Sequence, residues 1–273
     1  MSMSVNTNAT ALTALQNLNN TTNTINEVQN RISTGLKVSS TKDNSAAYTI
    51  AQTLRGDVGN LASVSSSLSR ASSTVDVAVS GAQQISDLVN QMSAIATSAS
   101  DAGLDAASRT ANAADFNALK SQITSIIDSS SFNGTNLLKT AGGSVSALQS
   151  TDTTAATLSV ANQGMDASVI TAIGTTFTTA ATAKTMVDTL ATVKTSINST
   201  LSALGSASRA IAGQSSFVSS LSDTITKGIG NLVDADLSKE SANLQALQVK
   251  QQLGVQALSI ANQAPQAILK LFQ

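Results

Sequence analysis

Two apolar seams in this chain repeat every seven residues, with no proline to stop either. In the first, Leu61, Leu68, Val75, Ala82, Val89 and Ala96 fall at one heptad position, and Val64, Ala71, Ala78, Ile85, Met92 and Ala99 at its partner. In the second, Leu190, Ile197, Leu204, Ile211, Val218, Ile225 and Leu232 keep the same beat, with Leu201, Leu221 and Ile229 beside them. Spacing of 3-4-3-4 sustained this long predicts helices that pack along their length as coiled coils do. At 1.5 Å rise per residue, 58–100 alone makes a rod about 60 Å long. The expected fold is mainly α: an elongated rod of long antiparallel helices.

The segments around the seams complete that expectation. Residues 5–36 form a first helical stretch, with Leu18, Thr22, Ile25, Gln29, Ile32 and Leu36 at 4-3-4-3-4 spacing. Segment 37–57 is less periodic. There Ser39, Ser40, Asp43 and Asn44 supply turn and N-cap chemistry, and Gly35, Gly56 and Gly59 suit turns or close packing. After the first seam a shorter amphipathic helix carries Phe116, Leu119, Ile123 and Ile126. Asn133-Gly134 and Gly142-Gly143 then mark turns. Residues 157–161 alternate as a strand does, with Leu158 and Val160 on one face, and 169–177 is a second strand or an irregular segment. A small β-hairpin is therefore expected in the middle of the chain.

Beyond Asp234-Ala235-Asp236 a final helix of about 30 residues begins near Leu237. One stripe passes through Leu237, Leu244, Leu247, Gln251, Leu258 and Ile268, and Leu253 and Ile260 form another. A helix apolar on two faces needs two partners, and a single hairpin mate supplies one. The order of elements is nearly symmetric about the centre, so the chain is expected to run out, turn and return, bringing its terminal helices together.

Composition narrows the function classes. Only 11% of residues are charged, and the net charge is −1. No basic stripe offers itself to nucleic acid phosphates. Cys, His and Trp are absent, and Glu occurs only at Glu27 and Glu240. The chain thus lacks thiolate chemistry and the commonest general base and zinc ligand, which argues against an enzyme, a metal site or a cofactor. Asp234 and Asp236 suit helix capping better than metal binding. The sequons beginning at Asn8, Asn19, Asn20, Asn133 and Asn198 are what chance yields in so Asn- and Thr-rich a chain. The opening MSMSVNTNAT has no secretory signal pattern, and no stretch approaches the ~18 apolar residues of a membrane span.

The termini resemble bacterial flagellins. At the start, Asn6-Thr7-Asn8 precedes Ala11-Leu12 and Leu15. Arg31-Ile32-Ser33-Thr34-Gly35-Leu36 then runs on to Asp43-Asn44, with Leu54-Arg55 beyond. Phe132-Asn133-Gly134 with Leu137-Leu138 is similar to the family's central turn. Toward the end, Asp234, Asp236 and Glu240, then Asn262, Gln263 and Pro265, match its C-terminal pattern. The likeness covers roughly 4–138 and 185–273, and it is similar to short alphaproteobacterial forms without large outer domains.

The resemblance implies a structural subunit that polymerises into the helical filament used for swimming. It implies an inner coiled coil of 1–40 and 233–273, a helical rod of 41–138 and 185–232, and a short variable β region at 139–184. Assembly then falls to Leu12, Leu15, Leu18, Ile25, Ile32 and Leu36, with Leu237, Leu244, Leu247, Leu253, Leu258, Ile260, Ile268 and Leu271. The implied partners are copies of the chain and paralogous flagellins, an export chaperone, and the cap and hook-junction proteins. The resemblance further implies that the subunit leaves the cell by flagellar type III export without a cleaved signal, and its termini are expected to fold on polymerisation. Exposed Ser or Thr in the central region are expected to carry O-linked glycans. At Gln91, Ser93 and Ala94 the chain departs from the Arg, Arg and Glu by which many flagellins engage the vertebrate Toll-like flagellin receptor, so poor activation is expected. The alternatives are a hook–filament junction protein, with similar termini, and a chemoreceptor signalling hairpin, which needs methylated Glu/Gln sites and a membrane span.

Overall fold

A computed structural model describes residues 7–152 and 157–269, the side chains of 264–269 excepted. Its elements are α1 (Ala9–Thr34), α2 (Thr41–Ala99), α3 (Ala106–Ser129), β1 (Val145–Ala147), β2 (Leu158–Val160), a π-helical turn (Asp166–Thr171), α4 (Ala180–Val233) and α5 (Leu237–Leu269). No described helix is long and apolar enough to cross a membrane. The chain divides into two compact units, one of 1–56 with 224–273 and the other of 57–223.

In the unit 57–223 the heptads form the core. Every α2 seam position from Leu61 to Ala99 is buried, as are Leu190, Ile197, Leu204, Ile211 and Val218 on α4. The α4 positions Ile225 and Leu232, which belong to the other unit, are half-buried. The α3 helix is capped by Asp105, whose carboxylate accepts the Ser108 N–H at 2.9 Å. It buries Ala113, Phe116, Ile123 and Ile127. Between α2 and α3, the Arg109 guanidinium donates to the carbonyls of Ala99, Asp101 and Leu104, so one planar fork satisfies the end of a helix and the turn after it.

The turn at Asn133-Gly134 has φ +50° and +80°, and Phe132 and Thr135 exchange backbone hydrogen bonds across it. That geometry is a primed turn. It delivers Asn136 into the interior, where the side chain donates to the Ile127 carbonyl at 2.6 Å and accepts from the Leu138 N–H at 2.9 Å. Leu137 and Leu138 are fully buried beside it. The short hairpin pairs Val145 with Val160 and Ala147 with Leu158, antiparallel. Phe177 meets Phe116 edge-on at 5.2 Å.

Several sequence expectations are corrected by these elements. No strand lies within 169–177: the π-helical turn occupies its start, and the partner of β2 is Val145–Ala147. Segment 41–57 is helical, its regularity broken only at Asn44 (φ −162°, ψ 102°). Gly56 and Gly59 sit inside that helix with open space around them, so neither makes a turn or a close contact. On α1 the buried positions are Thr21, Ile25 and Val28, whereas Gln29 is exposed.

Candidate assembly site

The paired ends of the chain make up the unit 1–56 with 224–273. At the start of α1 the Asn8 carboxamide caps the helix, its oxygen accepting the Ala11 N–H at 3.0 Å. The inward side of α1 is Ala11, Ala14, Leu18, Thr21, Ile25, Val28 and Ile32, a 3-4 repeat. On α5 the inward side is Glu240, Leu244, Leu247, Gln251, Gly254, Leu258 and Ala261, again 3-4 spaced. The helices run antiparallel. Asn8 donates to the Ala261 carbonyl at 2.8 Å, and Gln251 to the Thr22 hydroxyl at 3.4 Å. Farther along, Arg31 faces Glu240 at 3.7 Å. Leu18 lies so close to Gly254 that an added Cβ would stand 3.3 Å from its Cδ1.

A clasp joins these helices to α2 and α4. Gly35 ends α1 in the left-handed conformation (φ +72°) that glycine adopts without strain, and its N–H returns to the Arg31 carbonyl. Leu36 pairs with Asp234 as an isolated antiparallel bridge. The Val233 carbonyl accepts from both Lys37 N–H (2.7 Å) and Val38 N–H (3.3 Å), and Ala235 N–H donates to Gly35 at 2.8 Å. Beneath these bonds Val38, Ala51 and Val233 form a buried cluster, with Leu36, Tyr48 and Leu232 packed around it.

Three of the signature residues, Asp43, Asn44 and Asp236, hold the turns and helix starts around the clasp. Asp43 gathers the turn: one carboxylate oxygen accepts from the amides and hydroxyls of Ser39 and Ser40. The Ser39 hydroxyl, then the amides of Ser39 and Ser40, hold its pKa below the ordinary value. Asn44, the break in α2, caps the helical run beyond it by accepting the Ala47 N–H at 3.0 Å. Asp236 caps α5 through the amides of Ser238 and Lys239. No group of three or more potential metal-ligating side chains occurs among the described residues.

The outward faces of this unit stay apolar. Leu12 is 60% exposed, Leu253 60% and Ile260 68%, and Leu15, Leu237, Val249 and Val255 are uncovered as well. Val249 and Val255 were not singled out by the sequence stripes; each lies two residues from a named position. Leu244, Leu247 and Leu258 turn inward with Leu18, Ile25 and Ile32. The structure thus sorts the sequence-selected residues into a seam and an outer surface. Ser33, Arg55, Asn262 and Gln263 are exposed. Pro265 and Ile268 lie on α5 without a described side chain, and Asn6 and Leu271 fall outside the described residues. On α2, Gln91 and Ala94 are exposed and Ser93 is half-buried.

Fold and surface together are those of a mainly α-helical protein whose terminal helices pair and leave apolar side chains exposed. The family profile for the bacterial flagellin N-terminal helical region matches residues 5–143, and that for the C-terminal helical region matches 185–272. Flagellin FljM of Caulobacter vibrioides is 44% identical over 275 residues, covering 99% of this chain and 98% of its own length. A flagellin of Brucella melitensis is 37% identical over 291 residues, covering 99% of each chain. The crystal structure of Bacillus cereus flagellin aligns over 64% of the chain with a TM-score of 0.45 at 20% identity. The chain belongs to the bacterial flagellin family, and it is a structural subunit of the flagellar filament.

Proposed function

We propose that the α1–α5 pair is the element that turns the subunit into a polymer. The supporting observation is the apolar surface this pair leaves in solvent, Leu12, Leu253 and Ile260 above all. Isolated exposed leucines are ordinary, but several on one helix pair form a surface that another copy can cover. In this reading 1–40 and 233–273 form the inner coiled coil, 41–138 and 185–232 the rod, and 139–184 a short variable region. Leu12, Leu15, Leu237, Leu253 and Ile260 then face neighbouring copies, whereas Leu18, Ile25, Ile32, Leu244, Leu247 and Leu258 hold the pair together.

The same reading extends to the chain's route and company. The subunit is carried by an export chaperone, leaves through the flagellar type III apparatus without a cleaved signal, and adds at the filament tip beneath a cap and beyond hook-junction proteins. The absence of Cys suits passage of an unfolded chain. Deleting 238–273, or replacing Leu253→Ser with Ile260→Ser, is expected to abolish sedimenting filaments while a helical circular dichroism signal persists. Long filaments of normal appearance from the double variant, seen by electron microscopy, refute the assignment.

A further inference from the structure

We infer that Asn133 is a site of spontaneous covalent modification: its side chain cyclises onto the Gly134 nitrogen, loses ammonia and hydrolyses to aspartate and isoaspartate. Asparagine is a thermolabile side chain, and it reacts in this way when its carboxamide and the N–H of the next residue are both free to meet. At the Asn133-Gly134 turn they are. Both residues are exposed, and among the described residues neither the Asn133 carboxamide nor the Gly134 N–H has a hydrogen-bond partner. Gly134 brings no side chain to crowd the attack, and nothing lies within 4 Å of where its Cβ would stand. The two backbone bonds of the turn join Phe132 to Thr135 and leave the pair between them unclaimed. The other described asparagines are held. Asn8 and Asn44 place their side-chain oxygens on amides three residues ahead, at 3.0 Å each. Asn136 is buried, with its carboxamide bonded at both ends. Asn162 precedes Gln163, whose N–H is taken by the Leu137 carbonyl at 2.7 Å. The rest lie within helices, where the next N–H is bonded one turn back. By sequence, Asn44-Ser45 and Asn198-Ser199 come close behind because a small residue follows each; their structural settings set both aside.

The reaction needs only water and a base. The Gly134 N–H gives its proton to solvent, the nitrogen forms a bond to Asn133 Cγ, and the Cγ–Nδ2 bond breaks. The departing nitrogen takes a proton from water and leaves as ammonia. Water then adds to either carbonyl carbon of the five-membered imide. Breaking the bond from nitrogen to Cγ restores the ordinary backbone with an aspartate. Breaking the bond from nitrogen to the main-chain carbonyl carbon routes the chain through Cγ, as isoaspartate. Either product adds a negative charge to a chain whose net charge is −1. Aspartate suits a primed turn as asparagine does. Isoaspartate does not, because it adds a methylene to the backbone of a two-residue loop, and that loop delivers Asn136, Leu137 and Leu138 to the interior. The ring closes when the Phe132–Thr135 bonds open, a local event for which no helix has to unfold.

Full-length protein is held in warm, mildly alkaline buffer while circular dichroism confirms that it stays folded. Samples are read by peptide mass mapping and by isoaspartyl methyltransferase labelling. Asn133 is expected to convert roughly tenfold faster, or more, than Asn198, whose helix must open first. Isoaspartate is expected among the products, at a rate that rises with hydroxide concentration. Asn133→Gly, which keeps a residue suited to the primed turn, is expected to remove most of the labelling. The isoaspartate-bearing fraction, isolated by anion exchange, is expected to melt below the unconverted protein. A smaller ratio of Asn133 to Asn198 conversion in the folded protein overturns the inference, as do labelling undiminished in Asn133→Gly and a rate indifferent to pH. An unchanged melting temperature in the isoaspartate fraction overturns the consequence drawn for the turn.

Discussion

Gly81 lies within α2, and an alanine there should act against the usual rule. Glycine inside an exposed helix is disfavoured relative to alanine by roughly 1 kcal/mol. At Gly59, where an added Cβ meets nothing within 4 Å, Gly59→Ala is expected to stabilise by about that amount. At Gly81 the new Cβ would stand 2.4 Å from Ser130 Oγ and 2.9 Å from Leu138 Cδ1. Neither neighbour moves easily. Ser130 is tied twice to the Ile126 carbonyl, by its N–H at 3.0 Å and its hydroxyl at 2.6 Å, and Leu138 is fully buried. Overpacking of such a site costs about 1–3 kcal/mol. Set against the propensity gain, Gly81→Ala is a net loss of about 1 kcal/mol. In a chain this long that lowers Tm by about 2 °C, and Gly59→Ala raises it by a similar amount. Thermal unfolding followed by circular dichroism gives both shifts in one experiment. Combining Gly81→Ala with Ser130→Ala should recover part of the loss, a coupling that a double-mutant cycle isolates. If Gly81→Ala raises Tm as Gly59→Ala does, the close packing of α2 against Ser130 and Leu138 is refuted.

Two further expectations concern Asp43 and the stretch from Gln91 to Ala94. Asp43 has its folded pKa lowered below 3.8 by the Ser39 hydroxyl and the Ser39 and Ser40 amides, so its contribution to stability is present above the unfolded value and lost as pH falls through the folded one. Denaturant midpoints measured from pH 5 downward should therefore fall less steeply in Asp43→Asn than in the parent, and equal slopes would contradict the clasp geometry. A reporter-cell assay for the vertebrate flagellin receptor is expected to show weak activation, because Gln91, Ser93 and Ala94 put no guanidinium or carboxylate on that stretch of α2; potency equal to that of an enterobacterial flagellin sinks this expectation.

How much was legible in the residues depends on period. The α2 seam could be read position by position because burial there follows a strict seven-residue beat, and each named side chain is inside. The seam of α1 was displaced by one step: Thr21 is buried as a polar residue, and Gln29 looked no more polar than Thr22. Segment 41–57 hid its helix because Asn44 interrupts it and much of its surface is exposed. The strand Val145–Ala147 is too short for alternation to show, and its existence depends on pairing with Leu158–Val160. The exposed apolar face of α5 was legible in Leu253 and Ile260, which cannot share a face with Leu244 and Leu247 on one helix. The clasp was not. Its bonds are between backbone groups of Gly35, Lys37, Val38, Val233 and Ala235, and residue identity carries almost no trace of them.

The pairing of Asn8 with Ala261, 253 positions apart in the chain, also orders events in time. Contacts so remote cannot form until the whole span between them has been made, and closing so large a loop is entropically costly. The helices of 57–223 include partners much nearer in sequence, such as Asn136 with Ile127, and can settle as soon as those segments meet. α1 is made before α5, yet it must wait for α5 to complete its seam. While the span between them is made, Leu18, Ile25 and Val28 stand without their eventual cover, and any factor that guards the nascent subunit has a long opportunity at α1.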